Sequence, residues 1–282
     1  MPDKIIELLK KGREANHADK FRRGNVVVLP SDGKVVLTGD IHGHRHNFER
    51  IVTFADLERN PRTHVILHEI IHGGPEDEHG GCLSYQLLFD AVKYKLKFPD
   101  RVHIIMGNHD TAFINNTDVM KNGKEMNVAM RAALDRQYAG ASEKVKLAIK
   151  QLLFSQALAV RCPNRIFVSH SLPGDYYFDK FDQRIFQREL RLNDIVRPGS
   201  AYLLTWGRSH SQQLLKKMCQ LLDVDIFVLG HQSQEQGCCR VGNNLIILAS
   251  DHNHGCILPM DLDKSYNIED MLDHIIPLAS IA

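Results

Sequence analysis

Asp40 and His42 stand two residues apart in Gly39-Asp40-Ile41-His42-Gly43, directly after the apolar, β-branched run Lys34-Val35-Val36-Leu37-Thr38. A buried strand ending there sends both side chains the same way, and the two glycines let the backbone turn sharply behind them. One carboxylate beside one imidazole suits Mn, Fe or Zn better than Ca or Mg. Three later strand-like runs also end in donors: Ile104-Ile105-Met106 leads into Gly107-Asn108-His109-Asp110, Phe167-Val168-Ser169 into His170, and Val228-Leu229-Gly230 into His231. A lone histidine after a strand is most often structural. Four strands ending in Asp/His, Asn/His, His and His converge on one rim of a sheet, and that convergence implies a shared metal site.

The elements needed to position these donors alternate along the chain. Residues 4–11 read as a short amphipathic helix, followed by a polar segment to Arg23, a strand at 26–29 and a Pro30-Ser31-Asp32-Gly33 turn into the Asp40 strand. Residues 47–57, 83–96 and 211–222 carry helical spacing. Residues 63–67, 101–106, 165–168, 225–229 and 245–248 read as buried strands. From 111 to about 160 the pattern turns helical, which predicts a helical insertion partly covering the site. Such alternation is that of a layered α/β fold, with sheets flanked by helices and the chemistry on loops at strand carboxyl ends. At 282 residues and 43% hydrophobic, the chain is expected to form a single domain over 1–282.

Net charge is +1 and the pI about 7.7, so no strong field recommends nucleic acid or a membrane as partner. Six cysteines without any CxxC pair indicate neither a structural zinc site nor a disulfide framework, and suit a reducing cytoplasm. The amino terminus lacks an apolar signal core, and no apolar run approaches the ~18 residues of a membrane span. A cytoplasmic location is therefore expected.

The ordered set Gly39-Asp40-Ile41-His42-Gly43, Gly107-Asn108-His109-Asp110, His170 and Gly230-His231 resembles the calcineurin-like metallophosphoesterases, and within them the phosphoprotein phosphatase branch. Residues 87–99, leading towards Gly107, resemble that branch's helix and strand. Leu248-Ala249-Ser250-Asp251-His252-Asn253-His254-Gly255 resembles its Ser-Ala-Pro-Asn-Tyr-Cys-Gly loop, and the likeness extends over about 34–262. One block departs. Where the family has Gly-Asp-x-x-Asp-Arg-Gly, this chain reads His68-Glu69-Ile70-Ile71-His72-Gly73-Gly74, so that Glu69 replaces the bridging aspartate and Gly73 the phosphate-clamping arginine. Counting back from Gly107 without gaps selects Glu76 instead. Glu69 is preferred because a bridging ligand needs a rigid strand behind it, whereas Glu76 lies in a Gly/Pro-rich stretch.

The resemblance implies two divalent ions, Mn first with Fe or Zn as alternatives, one held by Asp40, His42 and Glu69, the other by Glu69, Asn108, His170 and His231. It implies hydrolysis of phosphate monoesters on a phosphoprotein or small ester, with a hydroxide between the ions attacking phosphorus in line. His109 would be the general acid and Asp110 would orient its imidazole, with N-capping of the following helix as the competing role for Asp110. Arg208, with His44 and His254, would supply positive charge to the phosphate. Ser233 stands where many phosphodiesterases of the wider superfamily have a second histidine after Gly-His, which favours monoesters. Two other functions fit the same motifs: hydrolysis of a dinucleoside polyphosphate, and a non-catalytic phosphate-binding scaffold suggested by the altered block.

Overall fold

The computed structural model describes residues 2–121 and 123–282. The strand Lys34–Asp40 lies at the centre of a five-stranded sheet, ordered Ile276–Pro277, Cys256–Asp261, Lys34–Asp40, Thr63–His68, Val102–Ile105. Its last three strands are parallel and the others antiparallel. A seven-stranded mixed sheet, ordered Arg22–Arg23, Val26–Val28, Ala159–Arg161, Ile166–Ser169, Ile226–Leu229, Leu245–Leu248, Cys238–Val241, packs against it. Val35, Leu37 and Ile66 of the first sheet meet Val168, Val228 and Ile246 of the second in one apolar layer. The alternate residues Val36, Val65, Phe167 and Phe227 face outwards, into the layer shared with the helices. Because side chains alternate across a strand and both faces are covered, the central strands are largely apolar. The result is a layered β-sandwich flanked by helices.

Register brings the carboxyl ends together. Asp40 pairs with His68, and His68 with Ile105, in the first sheet; Leu229 pairs with Ser169 in the second. A parallel bridge between Asp40 and Ala249 joins the two rims, with Ser250 N–H donating to the Asp40 carbonyl at 3.0 Å.

The flanking helices include Pro2–Ala18, Arg45–Ala55, Ser84–Lys97, Ser200–Trp206 and Gln212–Leu222. The first runs well beyond the expected 4–11. It packs on Ser84–Lys97 at Gly12, where a Cβ would press on Val92. The region 111–160 is not helical throughout: between the helices Asn108–Asn115, Met126–Gln137 and Ser142–Phe154 lies a small hairpin, Met120–Lys121 paired with Lys124–Glu125. Strands Ala159–Arg161, Cys238–Val241 and Cys256–Asp261 were not anticipated, being short, polar or interrupted by Pro259. Asp19, just past the first helix, is buried and accepts from Lys95 Nζ at 2.9 Å. His103 Nδ1 donates to it at 2.8 Å, and His64 Nδ1 lies 3.1 Å from His103 Nε2. Among the described residues no helix is long and apolar enough to cross a membrane.

Candidate metal centre

Asp40 ends its strand with Oδ2 accepting the His231 N–H at 2.8 Å, which ties the tip of one sheet to the other. His42 follows in a left-handed conformation, φ 44°, and its Nδ1 meets the Ile71 carbonyl at 3.0 Å. That contact makes Nδ1 the protonated nitrogen and leaves the Nε2 lone pair free. Nε2 lies 3.8 Å from Asp40 Oδ2 and 3.5 Å from Glu69 Oε2. Glu69, also left-handed at φ 32°, uses Oε1 to accept the His109 N–H at 2.6 Å. Its other oxygen, Oε2, stands between His42 Nε2 and His170 Nε2, 3.6 Å from the latter. Gly107 makes room for this longer carboxylate, since a Cβ there would clash with it.

Beyond Glu69, three donor atoms form a triangle. Asn108 Oδ1 lies 2.9 Å from His170 Nε2 and 2.8 Å from His231 Nδ1, and the two nitrogens are 3.1 Å apart. Edges of this length match adjacent corners of a coordination polyhedron with bonds of about 2.0–2.2 Å. His170 Nδ1 lies 3.4 Å from Asp40 Oδ1.

All these groups are buried, and they are poorly satisfied by the protein alone. Most of the buried side-chain polar atoms without a hydrogen-bond partner among the described residues sit here, on Asp40, His68, His72, Asn108, His109, His170 and His231. Asp40 Oδ1 among them is a free acceptor, and together with the close-set lone-pair atoms of His42, Glu69, Asn108, His170 and His231 it fits divalent cations. Burial, with Asp40 and Asp110 nearby, pushes the Glu69 carboxyl well above its ordinary range. Burial also raises Asp40, but the surrounding imidazoles of His170, His42 and His68 outweigh it and hold this carboxylate low. A bound cation would favour the ionised form of both.

The remaining sequence candidates divide. His109 lines a cleft of about 170 Å³ together with Asp40, His42, His231 and Arg208. Burial, then the neighbouring His72 and His42, keep its imidazole well below the ordinary value. Arg208 holds its place by donating to the His231 carbonyl at 3.4 Å. Asp110 is used at the helix terminus: its Oδ2 accepts the Gly107 N–H at 2.9 Å, and no hydrogen bond joins it to the His109 ring. Burial pushes Asp110 up to about 7. His44 and His254 do not line the cleft. His44 Nδ1 accepts from Asn47 N–H and so caps the helix Arg45–Ala55, while His254 is exposed on its loop. Glu76, the rival bridge, lies at the surface paired with Lys124 at 2.7 Å.

Three nearby residues were not anticipated. His68 joins Asp40 and His170 in a group whose donor atoms lie within 4.8 Å of one another. His72 sets its ring 4.9 Å from that of His109, tilted by 40°. Lys121 reaches the cleft from the small hairpin. Strict strand alternation would send His68 and Glu69 to opposite faces, and it is the left-handed turn at Glu69 that brings both to one centre.

Residues 33–235 match a family model described as calcineurin-like phosphoesterase. Among curated proteins, the chain is 29% identical over 121 residues to the serine/threonine-protein phosphatase 4 catalytic subunit of Kluyveromyces lactis, covering 39% of this chain and 36% of that one. It is 25% identical over 219 residues to a serine/threonine-protein phosphatase of Caenorhabditis elegans, covering 73% and 44% respectively. The chain thus spans less than half the length of these relatives. In fold it is similar to a protein serine/threonine phosphatase from Saccharomyces cerevisiae with similarity to human phosphatase PP5, with TM-score 0.72, 14% identity and coverage of 99% and 93%. It is also similar to a cold-active protein-tyrosine phosphatase of Shewanella, with TM-score 0.59, 16% identity and coverage of 87% and 80%. The matched span carries every donor from Asp40 to His231, and the chain belongs to the calcineurin-like phosphoesterases.

Proposed function

We propose that this protein is a dinuclear-metal phosphomonoesterase that removes phosphate from serine and threonine residues of phosphoproteins. One observation carries the reading: Glu69 Oε2 stands between the ligand nitrogens of His42 and His170, at 3.5 and 3.6 Å, where one carboxylate can serve two ions. Asp40, His42 and Glu69 would hold the first, and Glu69, Asn108, His170 and His231 the second. Mixed carboxylate, amide and imidazole donors suit Mn, with Fe or Zn as alternatives. Such a pair supplies a water nucleophile at neutral pH and neutralises phosphoryl oxygens.

The chain's own groups do the rest. His109, in the cleft wall, is the proton donor to the leaving oxygen, while its backbone N–H fixes Glu69. Arg208 binds a phosphoryl oxygen from the wall beside His231. The curated relatives named above are serine/threonine phosphatases, which supports a phosphoprotein substrate over a nucleotide anhydride. The cysteine usage suits a reducing compartment, and we place the activity in the cytoplasm.

Mn-loaded protein assayed on phosphoserine, phosphothreonine and phosphotyrosine peptides and on a dinucleoside tetraphosphate tests this. Preferential release of phosphate from the first two is expected. Preference for the tetraphosphate, or bound metal without turnover of any substrate, would overturn the assignment.

A further inference from the structure

The cleft lacks the arginine that its second motif would place at Gly73, and the local backbone shows why no side chain stands there. Gly73 has φ 133°, and a Cβ on it would drive into the His42 carbonyl; Gly74, at φ 67°, packs as closely on Gly43. The ligand loop and the second-motif loop touch backbone to backbone, so a phosphate-binding cation must come from elsewhere in the chain.

Lys121 comes from the short hairpin after Asn108–Asn115, and it lines the cleft opposite Asp40, His42, His109 and Arg208. Its Nζ donates to Asp251 Oδ2 at 3.1 Å, with 29% of the lysine side chain exposed. Asp251 is rigidly placed, because the preceding Ser250 donates its N–H to the Asp40 carbonyl and accepts the Gly39 N–H on Oγ at 2.9 Å. The hairpin itself is anchored at its base. Asp118 accepts from the N–H groups of Val119, Asn127 and Val128, and Lys124 reaches across to Glu76. An ammonium has three donors; one holds Asp251, and the others remain for a ligand in the cleft.

We propose that Lys121, positioned by Asp251, is the phosphate-anchoring cation of this cleft and works with Arg208 in place of the absent arginine. The proposal rests on the phosphoesterase reading and adds to it a substrate-binding residue from the hairpin. Asp251 sets the direction of the ammonium.

Inorganic phosphate binding to the Mn-loaded full chain, followed by isothermal calorimetry, tests it without requiring turnover. A lost charge-assisted hydrogen bond weakens binding about ten- to hundredfold, and that is the loss expected for Lys121→Met with metal content unchanged. Lys121→Arg retains the charge and should stay within about threefold of the parent. Lys124→Met, which removes the hairpin's other ionic tie but no cleft group, should do the same. Phosphate affinity unchanged in Lys121→Met overturns the proposal, as does an equal loss in Lys124→Met or Lys121→Arg. Parent protein that binds phosphate through Lys121 yet hydrolyses no phosphoester would overturn the hydrolase reading alone.

Discussion

Replacing Glu69 and Glu76 separately by alanine distinguishes the two bridges that the sequence allows. Glu69 Oε2 faces both ligand nitrogens, whereas Glu76 is an exposed partner of Lys124. Loss of an outer partner already weakens metal binding about 10–100-fold, so loss of a shared ligand should cost at least about 100-fold. At Mn concentrations near 100 times the parent dissociation constant, bound metal stabilises the fold by about 2.7 kcal/mol. For a chain of this size that is a rise in Tm of about 5–8 °C. Glu69→Ala, at a concentration now only equal to its dissociation constant, gains about 0.4 kcal/mol, or roughly 1 °C. Glu76→Ala loses a surface ion pair worth about 0–1 kcal/mol and keeps the full metal-dependent rise. Each variant's metal-free melting curve is its own reference, and elemental analysis after desalting counts the ions. If Glu76→Ala sheds metal while Glu69→Ala retains two ions and the rise in Tm, the bridge has been assigned to the wrong carboxylate.

His109→Ala should keep both ions and lose about 10²–10⁴ in turnover; because its ring lies within 4.8 Å of the His42 and Glu69 donors, parallel loss of metal would make it a ligand instead. His68→Gly should weaken metal affinity about tenfold by removing a ring beside Asp40 and His170, and unchanged affinity measured by chelator competition would deny it any supporting role. Away from the centre, burial and then the His103 charge push His64 down to about 3. The unfolded chain protonates near 6.5 while the folded one resists until about 3, so stability is complete above 6.5 and is lost as pH falls between those values, by up to about 5 kcal/mol. Denaturant unfolding at pH 7, 5 and 4 should show a shallower decline in His64→Gln than in the parent; equal slopes would refute the linkage.

What could be read from the sequence was the part that local pattern encodes. A parallel strand covered on both faces is largely apolar, so Lys34–Asp40, Val102–Ile105, Ile166–Ser169 and Ile226–Leu229 announce themselves, and the donor at or just after the end of each is visible from the sequence. Asp40, His42, Asn108, His109, His170 and His231 do meet at one rim for that reason. Side-chain roles decided by long-range partners were not legible. His44 looked available for phosphate until Asn47 took its lone pair, and Asp110 looked free to orient His109 until Gly107 took its carboxylate. Lys121 gives no local signal, since its reach into the cleft depends on Asp118 and Asp251, residues that are distant or unremarkable in sequence.

The altered second block makes sense only as a coupled change. A glutamate needs one more methylene of space than an aspartate, and it finds that space by adopting φ 32° and by facing Gly107, where a Cβ would collide with it. That turn carries the chain on so that His72 faces His109 and the two glycines after it close against His42 and Gly43. His42, Glu69, His72 and His231 are all non-glycine residues in left-handed conformations, each costing about 1–3 kcal/mol in isolation. Strain of that size persists only where something offsets it, and divalent cations bound at this place would do so. With the loop drawn in so tightly no arginine can stand at Gly73, and on the reading proposed above the positive charge is carried by Arg208 and Lys121, which line the cleft from other elements.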